Sequence, residues 1–196
     1  MSHASTRLSS RYSEALTYAT GAHDGQFRKG TTIPYIHHPM AVSALVIEHG
    51  GSEDQAIAGL LHDVLEDCGA GHAGEIEARF GAEVLRIVEG LTDGLPDSAG
   101  DKPAWRERKE RYLTQLAQTS EDIVLVSAAD KLHNATAISD DHAEIGDAVF
   151  ERFKPSKSET VWYYHSLARV LGDRLGKDHR LVRRLRAAIS GWAEEA

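Results

Sequence analysis

Hydrophobic residues recur every three or four positions along most of the chain, which is the spacing of helices with one buried face. The first such segment runs from Leu8 to Ala19 and ends at Gly21. No segment shows the sustained alternation of apolar and polar residues that is typical of a half-buried strand. We therefore expect an all-α fold, with one domain over residues 1–196.

Capping and turn residues divide the first half of the chain into helices. Pro39 stands where the first turn of a helix tolerates proline, so a helix is expected from there to Glu48. The tetrapeptide Ser52-Glu53-Asp54-Gln55 has the form of a capping box and starts the next helix. That helix is predicted to run to about Asp67, and two shorter helices follow around Gly81.

The second half begins with a turn-rich connection over 93–101, which has room for at most one short hairpin. Residues 103–117 are predicted to form a charged helix that a proline opens. Residues 121–138 are apolar and rich in alanine; their length favours a buried helix over a strand. Two amphipathic helices over about 156–195, separated near Gly172, complete the chain.

Composition narrows the classes of function. The chain has 196 residues, of which 41% are hydrophobic, and this suffices for one sizeable core. Its formal net charge of −8 argues against a general nucleic-acid binder. We expect neither a membrane-spanning helix nor a secretion signal, because no long apolar run occurs. The single cysteine, Cys68, fits a reducing compartment, so a cytoplasmic protein is expected. The amino-acid sequence does not indicate an oligomeric state.

A small anionic substrate is compatible with this acidic chain because cations cluster locally. Arg28-Lys29 forms one such cluster, and the stretch 102–111 forms another. A bound divalent cation would add further positive charge.

The sharpest chemical signal lies in Leu60–Asp67. At about 100° per residue, Asp63, Glu66 and Asp67 lie within about 140° of His62, so all four polar side chains share one side of a helix. Neighbouring carboxylates repel one another unless a cation or a proton lies between them. A divalent metal accounts for this pattern, and the plain alternative is a solvated acidic face.

Two other segments supply further candidate ligands. His38 directly precedes Pro39 and is therefore held near a helix N-terminus. Asp130 and Asn134 share one face of the apolar helix, with Lys131 beside them. A charge in so apolar a helix is costly unless it is paired or coordinated, so Asp130 is either a ligand or the partner of a core arginine.

The order His, His-Asp, Asp resembles the HD phosphohydrolase superfamily. Within it, the chain is similar to the small alarmone hydrolases and to the hydrolase domain of RelA/SpoT-type proteins. The matching segments cover most of residues 10–170 in the family's order, and they are Gln26–Thr31, Pro34–Pro39, Leu60–Asp67, Phe80-Gly81, Leu91–Asp93 and Ala129–Asn134. This resemblance implies an HD-type helical bundle and a stand-alone hydrolase.

The resemblance also implies roles for individual residues. It implies four metal ligands, which are His38, His62, Asp63 and Asp130. It implies Mn²⁺ as the usual ion, although two imidazoles and two carboxylates suit several divalent metals. It implies a catalytic acidic pair, Glu66 and Asp67. It implies substrate contacts from Arg28, Lys29, Lys131 and Asn134. His37 and His133 are expected outside the metal shell.

The implied activity is hydrolysis of the 3′-diphosphate of (p)ppGpp-type alarmones with release of pyrophosphate. Two alternatives are another HD nucleotide phosphohydrolase and a non-catalytic nucleotide sensor. The combination of Glu66-Asp67 with Arg28-Lys29 favours the alarmone hydrolase, and the filled ligand positions disfavour the sensor. After Asn134 the chain reads Ala135–Ile138, where long family members usually have an arginine. Adenosine alarmones therefore stay open as substrates.

Overall fold

The structure, a computed structural model, describes residues 7–92 and 103–192. Within these ranges the chain forms nine α-helices: α1 (Ser10–Ala22), α2 (His37–Glu48), α3 (Glu53–Leu61), α4 (Ala73–Phe80), α5 (Ala82–Leu91), α6 (Trp105–Leu116), α7 (Glu121–Ile145), α8 (Lys157–Leu175) and α9 (Arg180–Ile189). The only extended pairing in these ranges is an isolated bridge between Phe27 and Pro34. The all-α prediction is confirmed, while the predicted turn-rich connection at 93–101 lies outside the described residues.

The helices enclose two clusters of buried apolar side chains, and α7 contributes to both. The first cluster lies among α1 to α5, with Val126 and Ala129 from α7. The second lies among α6 to α9, with Ala128 and Leu132 from α7. The predicted buried helix is therefore confirmed, and it continues to Ile145 instead of ending at residue 138.

Close contact between α2 and α3 places the first two candidate histidines side by side. The capping box predicted at Ser52 is present, with reciprocal hydrogen bonds between Ser52 and Gln55. Gly59 lies against α2, where an added Cβ would stand 3.1 Å from the Cα of Ser43. The Ser43 hydroxyl donates to the Ala56 carbonyl oxygen, 2.8 Å away. A small residue at 59 thus permits the close approach of the two helices.

The predicted end of α3 at Asp67 is wrong. The α-helix ends at Leu61, and after His62 and Asp63 the chain forms a wider π-helical turn over Val64–Cys68. Such turns rotate the side chains relative to a regular α-helix and are frequent at functional sites. The spacing of about 100° per residue therefore does not hold beyond Leu61.

Two other predicted boundaries also shift. The break near Gly172 is wrong, because α8 continues through it and ends before Gly176, which has φ +98°. Gly172 instead lies against α9, where an added Cβ would stand 2.7 Å from a guanidinium nitrogen of Arg186. The charged helix predicted from Pro103 begins at Trp105.

Candidate metal centre and adjoining cavities

The four predicted ligands meet at one point. His38 comes from the first turn of α2, His62 and Asp63 follow α3, and Asp130 lies in α7. His38 Nε2 is 3.2 Å from His62 Nε2 and 3.2 Å from Asp130 Oδ1. Asp63 Oδ2 is 3.1 Å from His62 Nε2 and 3.5 Å from His38 Nε2. Two imidazole nitrogens and two carboxylate oxygens that face one another form a donor set for a divalent cation.

Three of these side chains are almost fully buried. His38, His62 and Asp130 are exposed by 5% or less, and one ligand atom from each lies within 4.8 Å of the others. Asp63 is the most exposed of the four, with 21% of its side chain accessible. The centre is therefore closed on the core side and accessible beside Asp63.

Each imidazole has a partner on its far nitrogen. His62 Nδ1 lies 2.9 Å from the carbonyl oxygen of Gly59, so it carries a proton. Although burial opposes it, the charges of Asp63 and Asp130 raise the pKa of His62, and a bound cation would take the place of the second proton at Nε2. His38 Nδ1 lies 2.8 Å from His133 Nδ1. Burial lowers the pKa of His133 to about 3, so this ring is neutral. With His38 Nε2 directed at a cation, His38 Nδ1 would carry the proton and donate this hydrogen bond to His133 Nδ1. His133 thus lies behind His38, on the side away from the other ligands.

The two carboxylates bring negative charge to the centre. Asp130 accepts hydrogen bonds from Lys131 Nζ and from Asn134 Nδ2, each at 2.6 Å. Burial favours the neutral acid, but the Lys131 charge together with His38 and His62 outweighs it and holds the pKa of Asp130 well below its usual range. For Asp63, burial is likewise outweighed by the combined effects of His62 and His38, so its pKa is also lowered. Both groups are ionised, which suits a divalent cation.

The predicted catalytic pair is split by the π-helical turn. Asp67 lines the larger cavity beside the centre, while Glu66 is half-buried and lines neither of the two cavities there. Partial desolvation and the charge of Asp63 raise the pKa of Asp67. A carboxylate whose pKa moves toward neutrality is better suited to accept a proton during catalysis.

Two cavities adjoin the centre. The larger, of about 570 Å³, is lined by Arg28, Lys29 and Asp67, with Ile138 and Phe153 as apolar walls. Arg152 from the turn after α7 also lines it and pairs with Asp141. A sequence reading misses Arg152, because nothing near it resembles a motif.

The second cavity, of about 300 Å³, shares Lys29 and Asn134 with the first. The apolar walls Ile138 and Phe153 are shared as well. The second cavity is lined by four lysines, which are Lys29, Lys109, Lys131 and Lys154, and by aromatic rings including Trp105 and Tyr163. No aspartate or glutamate of the described chain lines it. Lys109 belongs to the cationic stretch noted in the sequence, whereas Lys154 lies in no such cluster.

The four predicted substrate residues lie around these cavities. Arg28 donates to Asn134 Oδ1 at 2.9 Å, and Asn134 in turn donates to Asp130. Lys131 contacts the same carboxylate, and Lys29 Nζ lies 5.7 Å from the ring centroid of Phe153. The loop cations and the α7 residues are thus brought together beside the ligands.

A family model described as the HD domain matches residues 15–170. The chain belongs to the HD domain family. It is 35% identical over 162 residues to a guanosine-3′,5′-bis(diphosphate) 3′-pyrophosphohydrolase of Aquifex aeolicus, covering 81% of this chain and 21% of that protein. It is 38% identical over 126 residues to the Xenopus tropicalis enzyme of the same name, MESH1, covering 62% of this chain and 65% of that protein. The chain thus spans about a fifth of the first relative's length.

A solved structure of a related hydrolase has the same fold. The chain superimposes on a metazoan ortholog of SpoT, described as hydrolysing ppGpp, with a TM-score of 0.73 and 27% identity. The match covers 96% of this chain and 99% of that one. The HD-type helical fold is confirmed, and this fold implies a divalent metal at the His-Asp cluster. No helix among residues 7–92 and 103–192 has the length and apolar character needed to cross a membrane.

Proposed function

We propose that the chain hydrolyses the 3′-diphosphate of (p)ppGpp-type alarmones and releases pyrophosphate. The observation that carries this proposal is the convergence of His38, His62, Asp63 and Asp130 beside a cavity lined by cations. The relatives named as 3′-pyrophosphohydrolases support the same substrate class. Residues 1–196 are proposed to act as one domain, because α7 contributes to both apolar clusters. A cytoplasmic location is proposed because the one cysteine, Cys68, is a free thiol.

The four ligand side chains would hold the metal, which we propose to be Mn²⁺. The donor set fits a divalent ion, since both carboxylates are ionised and both imidazoles have their far nitrogens engaged. A divalent ion at such a centre lowers the pKa of water and offsets phosphoryl charge. Replacing Asp63 with alanine should abolish tight Mn²⁺ binding and hydrolysis together, while the helical circular dichroism signal persists.

Asp67 is proposed as the general base, with Glu66 on the same turn assisting it. Asp67 takes a proton from the water that attacks the phosphorus bonded to the ribose 3′ oxygen. The bond to that oxygen breaks, so pyrophosphate leaves; the ribose oxygen takes a proton from solvent, to which Asp67 later returns the proton it accepted. The raised pKa of Asp67 supports this role over that of a permanently ionised carboxylate.

The substrate's charge is offset by residues of the two cavities. Arg28 presents a planar fork to phosphate, and Lys29 acts as a point charge. Lys131 and Asn134 extend this surface along α7, toward the lysine-lined cavity. The walls from Ile138 and Phe153 offer an apolar surface for a purine base.

Adenosine alarmones are the second candidate substrates. The residues that follow Asn134 in the larger cavity include Thr136 and Ala137, so this part of α7 offers no arginine to contact a guanine; the arginines of the cavity, Arg28 and Arg152, come from other segments. The purified protein should therefore be incubated with Mn²⁺ and with guanosine or adenosine tetraphosphate, and the products resolved by anion exchange. Pyrophosphate and the nucleoside diphosphate are expected from the wild type and not from Asp63→Ala. Intact tetraphosphates after prolonged incubation would contradict the proposed activity.

A further inference from the structure

Tyr35 closes the loop that carries Arg28 and Lys29. Its backbone N–H donates to the Gln26 carbonyl oxygen at 2.9 Å, and one step further the Arg28 N–H donates to the Ile33 carbonyl oxygen at 2.8 Å. The bridge between residues 27 and 34 lies between these two bonds. The loop is therefore a short hairpin-like turn with Tyr35 at its base, directly before α2.

From this position the Tyr35 side chain reaches the metal centre. Its hydroxyl donates to Asp63 Oδ2 at 2.6 Å, the length of a strong hydrogen bond to a carboxylate. Burial and the Asp63 charge raise the pKa of Tyr35, so the phenol keeps its proton and remains a donor. A carboxylate oxygen has two lone pairs, so Oδ2 can accept this bond and still face the other ligands.

The other three ligands each have a partner of this kind. His62 is held by the Gly59 carbonyl oxygen, His38 by His133, and Asp130 by Lys131 and Asn134. Asp63 is the most exposed ligand and follows the irregular end of α3, so its orientation depends most on a side-chain partner.

The Tyr35 ring is itself fixed from behind. The ring of His23 lies 4.8 Å from it, centroid to centroid, and His23 is only 3% exposed. His23 Nδ1 lies 2.8 Å from Gln26 Oε1, so the loop and the end of α1 hold this histidine in place. The Arg28 guanidinium lies 5.9 Å from the Tyr35 ring centroid. A rigid ring with a directed hydroxyl suits the task of orienting a neighbour.

We propose that Tyr35 is a positioning residue that orients Asp63 as the fourth metal ligand and connects it to the substrate loop. This inference rests on the proposed function in taking Asp63 as a ligand and the loop of Arg28 and Lys29 as the part that contacts substrate. Metal binding then orders the loop from Gln26 to Tyr35, which brings Arg28 and Lys29 into place before any nucleotide arrives.

The first test is Tyr35→Phe, which removes the hydroxyl and keeps the ring. Tyr12→Phe is the matched control. The Tyr12 hydroxyl shares a hydrogen bond with Ser43 Oγ, 2.9 Å away, at the contact of α1 with α2, and so away from the metal ligands. The dissociation constant for Mn²⁺ should rise by about 10- to 100-fold in Tyr35→Phe, the usual effect of losing such a partner. The Co²⁺-loaded variant should also show an altered visible absorption spectrum, while the control matches the wild type. Equal Mn²⁺ affinity in Tyr35→Phe and wild type would overturn the proposal, as would an equal loss in the control.

The second test uses the wild type, so it stands even where the variant fails to fold. Amide hydrogen exchange is followed with and without Mn²⁺ and with no nucleotide present. Residues 26–35 should gain protection on Mn²⁺ addition, whereas α9 serves as the distant reference. An unchanged loop in a protein that demonstrably binds Mn²⁺ would refute the connection. Neither test uses hydrolysis, so failure of the proposed substrate would leave both results interpretable.

Discussion

Asn134 offers a direct test of how the metal ligands are held. Its side-chain amide donates to Asp130 at 2.6 Å, and its oxygen accepts from Arg28 at 2.9 Å. Leucine has nearly the same size but makes neither bond. Asn134→Leu therefore removes one hydrogen bond to a buried carboxylate and one to a half-buried guanidinium, while the helix and its packing are kept.

The expected loss can be worked from these two contacts. A hydrogen bond to a buried charged group contributes about 1.5–3 kcal/mol, and the bond to the half-buried Arg28 guanidinium, which solvent screens, is counted as an ordinary one of about 0.5–1.5 kcal/mol. The free energy of unfolding of the metal-free protein should fall by about 2–4 kcal/mol, measured by urea denaturation with chelator present. Mn²⁺ affinity should fall as well, by about 10-fold or more, because Asp130 loses a partner that orients it.

Thr136→Val is the matched control for this measurement. Thr136 lies on the same helix and lines the same cavity, but its hydroxyl bonds only to the Leu132 carbonyl oxygen one turn back. Its removal should change the free energy of unfolding by no more than about 0.5 kcal/mol. If Asn134→Leu were as stable as this control, the bridge from Arg28 to Asp130 would contribute nothing to the folded state, and the reasoning would be refuted.

Three further predictions concern the catalytic turn, the substrate loop and the helix contact. Glu66→Gln and Asp67→Asn should retain Mn²⁺ while turnover falls by about 10² or more, the larger loss being expected for the residue in the cavity wall; unchanged steady-state rates in both would remove them from the mechanism. Arg28→Ala should raise the Michaelis constant and lower kcat/KM by up to roughly 100-fold for an alarmone, with Mn²⁺ affinity changed far less; identical kinetics would exclude a phosphate contact. Gly59→Ala should push against Ser43 and lower the free energy of unfolding by about 1–3 kcal/mol in urea titration; full stability would show that the two helices can separate freely.

Much of the helical architecture follows from local patterns. The capping box at Ser52 depends only on neighbouring residues, and the structure contains it. The length and alanine content of the segment from Glu121 are also local properties, and this segment forms a buried helix as expected. The boundary at the end of α3 does not follow from such patterns. A π-helical turn depends on what the side chains of His62 and its neighbours contact in other helices, so a regular helix was the natural but wrong expectation.

The candidate site likewise has features that the sequence indicates and features that depend on helix packing. The residue types around His62-Asp63 and at Asp130 made a metal one of two interpretations, because neighbouring or buried carboxylates need a cation or a partner, and the family resemblance implied the full set with His38. Their convergence, with nitrogen and oxygen atoms 3.1 to 3.7 Å apart, is a result of how α2, α3 and α7 pack.

The sequence by itself determined the helical class, the types of the candidate ligands and the presence of cations near the first histidine. Only the tertiary structure decided which side chains stand behind the ligands. Tyr35 reaches Asp63 across 28 positions, and His133 reaches His38 across 95. Arg28 reaches Asn134 across 106 positions, whereas the contact of Asn134 with Asp130, one helical turn away, agrees with the helical spacing of the sequence. Contacts over such separations depend on the summed packing of several helices, and no local spacing encodes them.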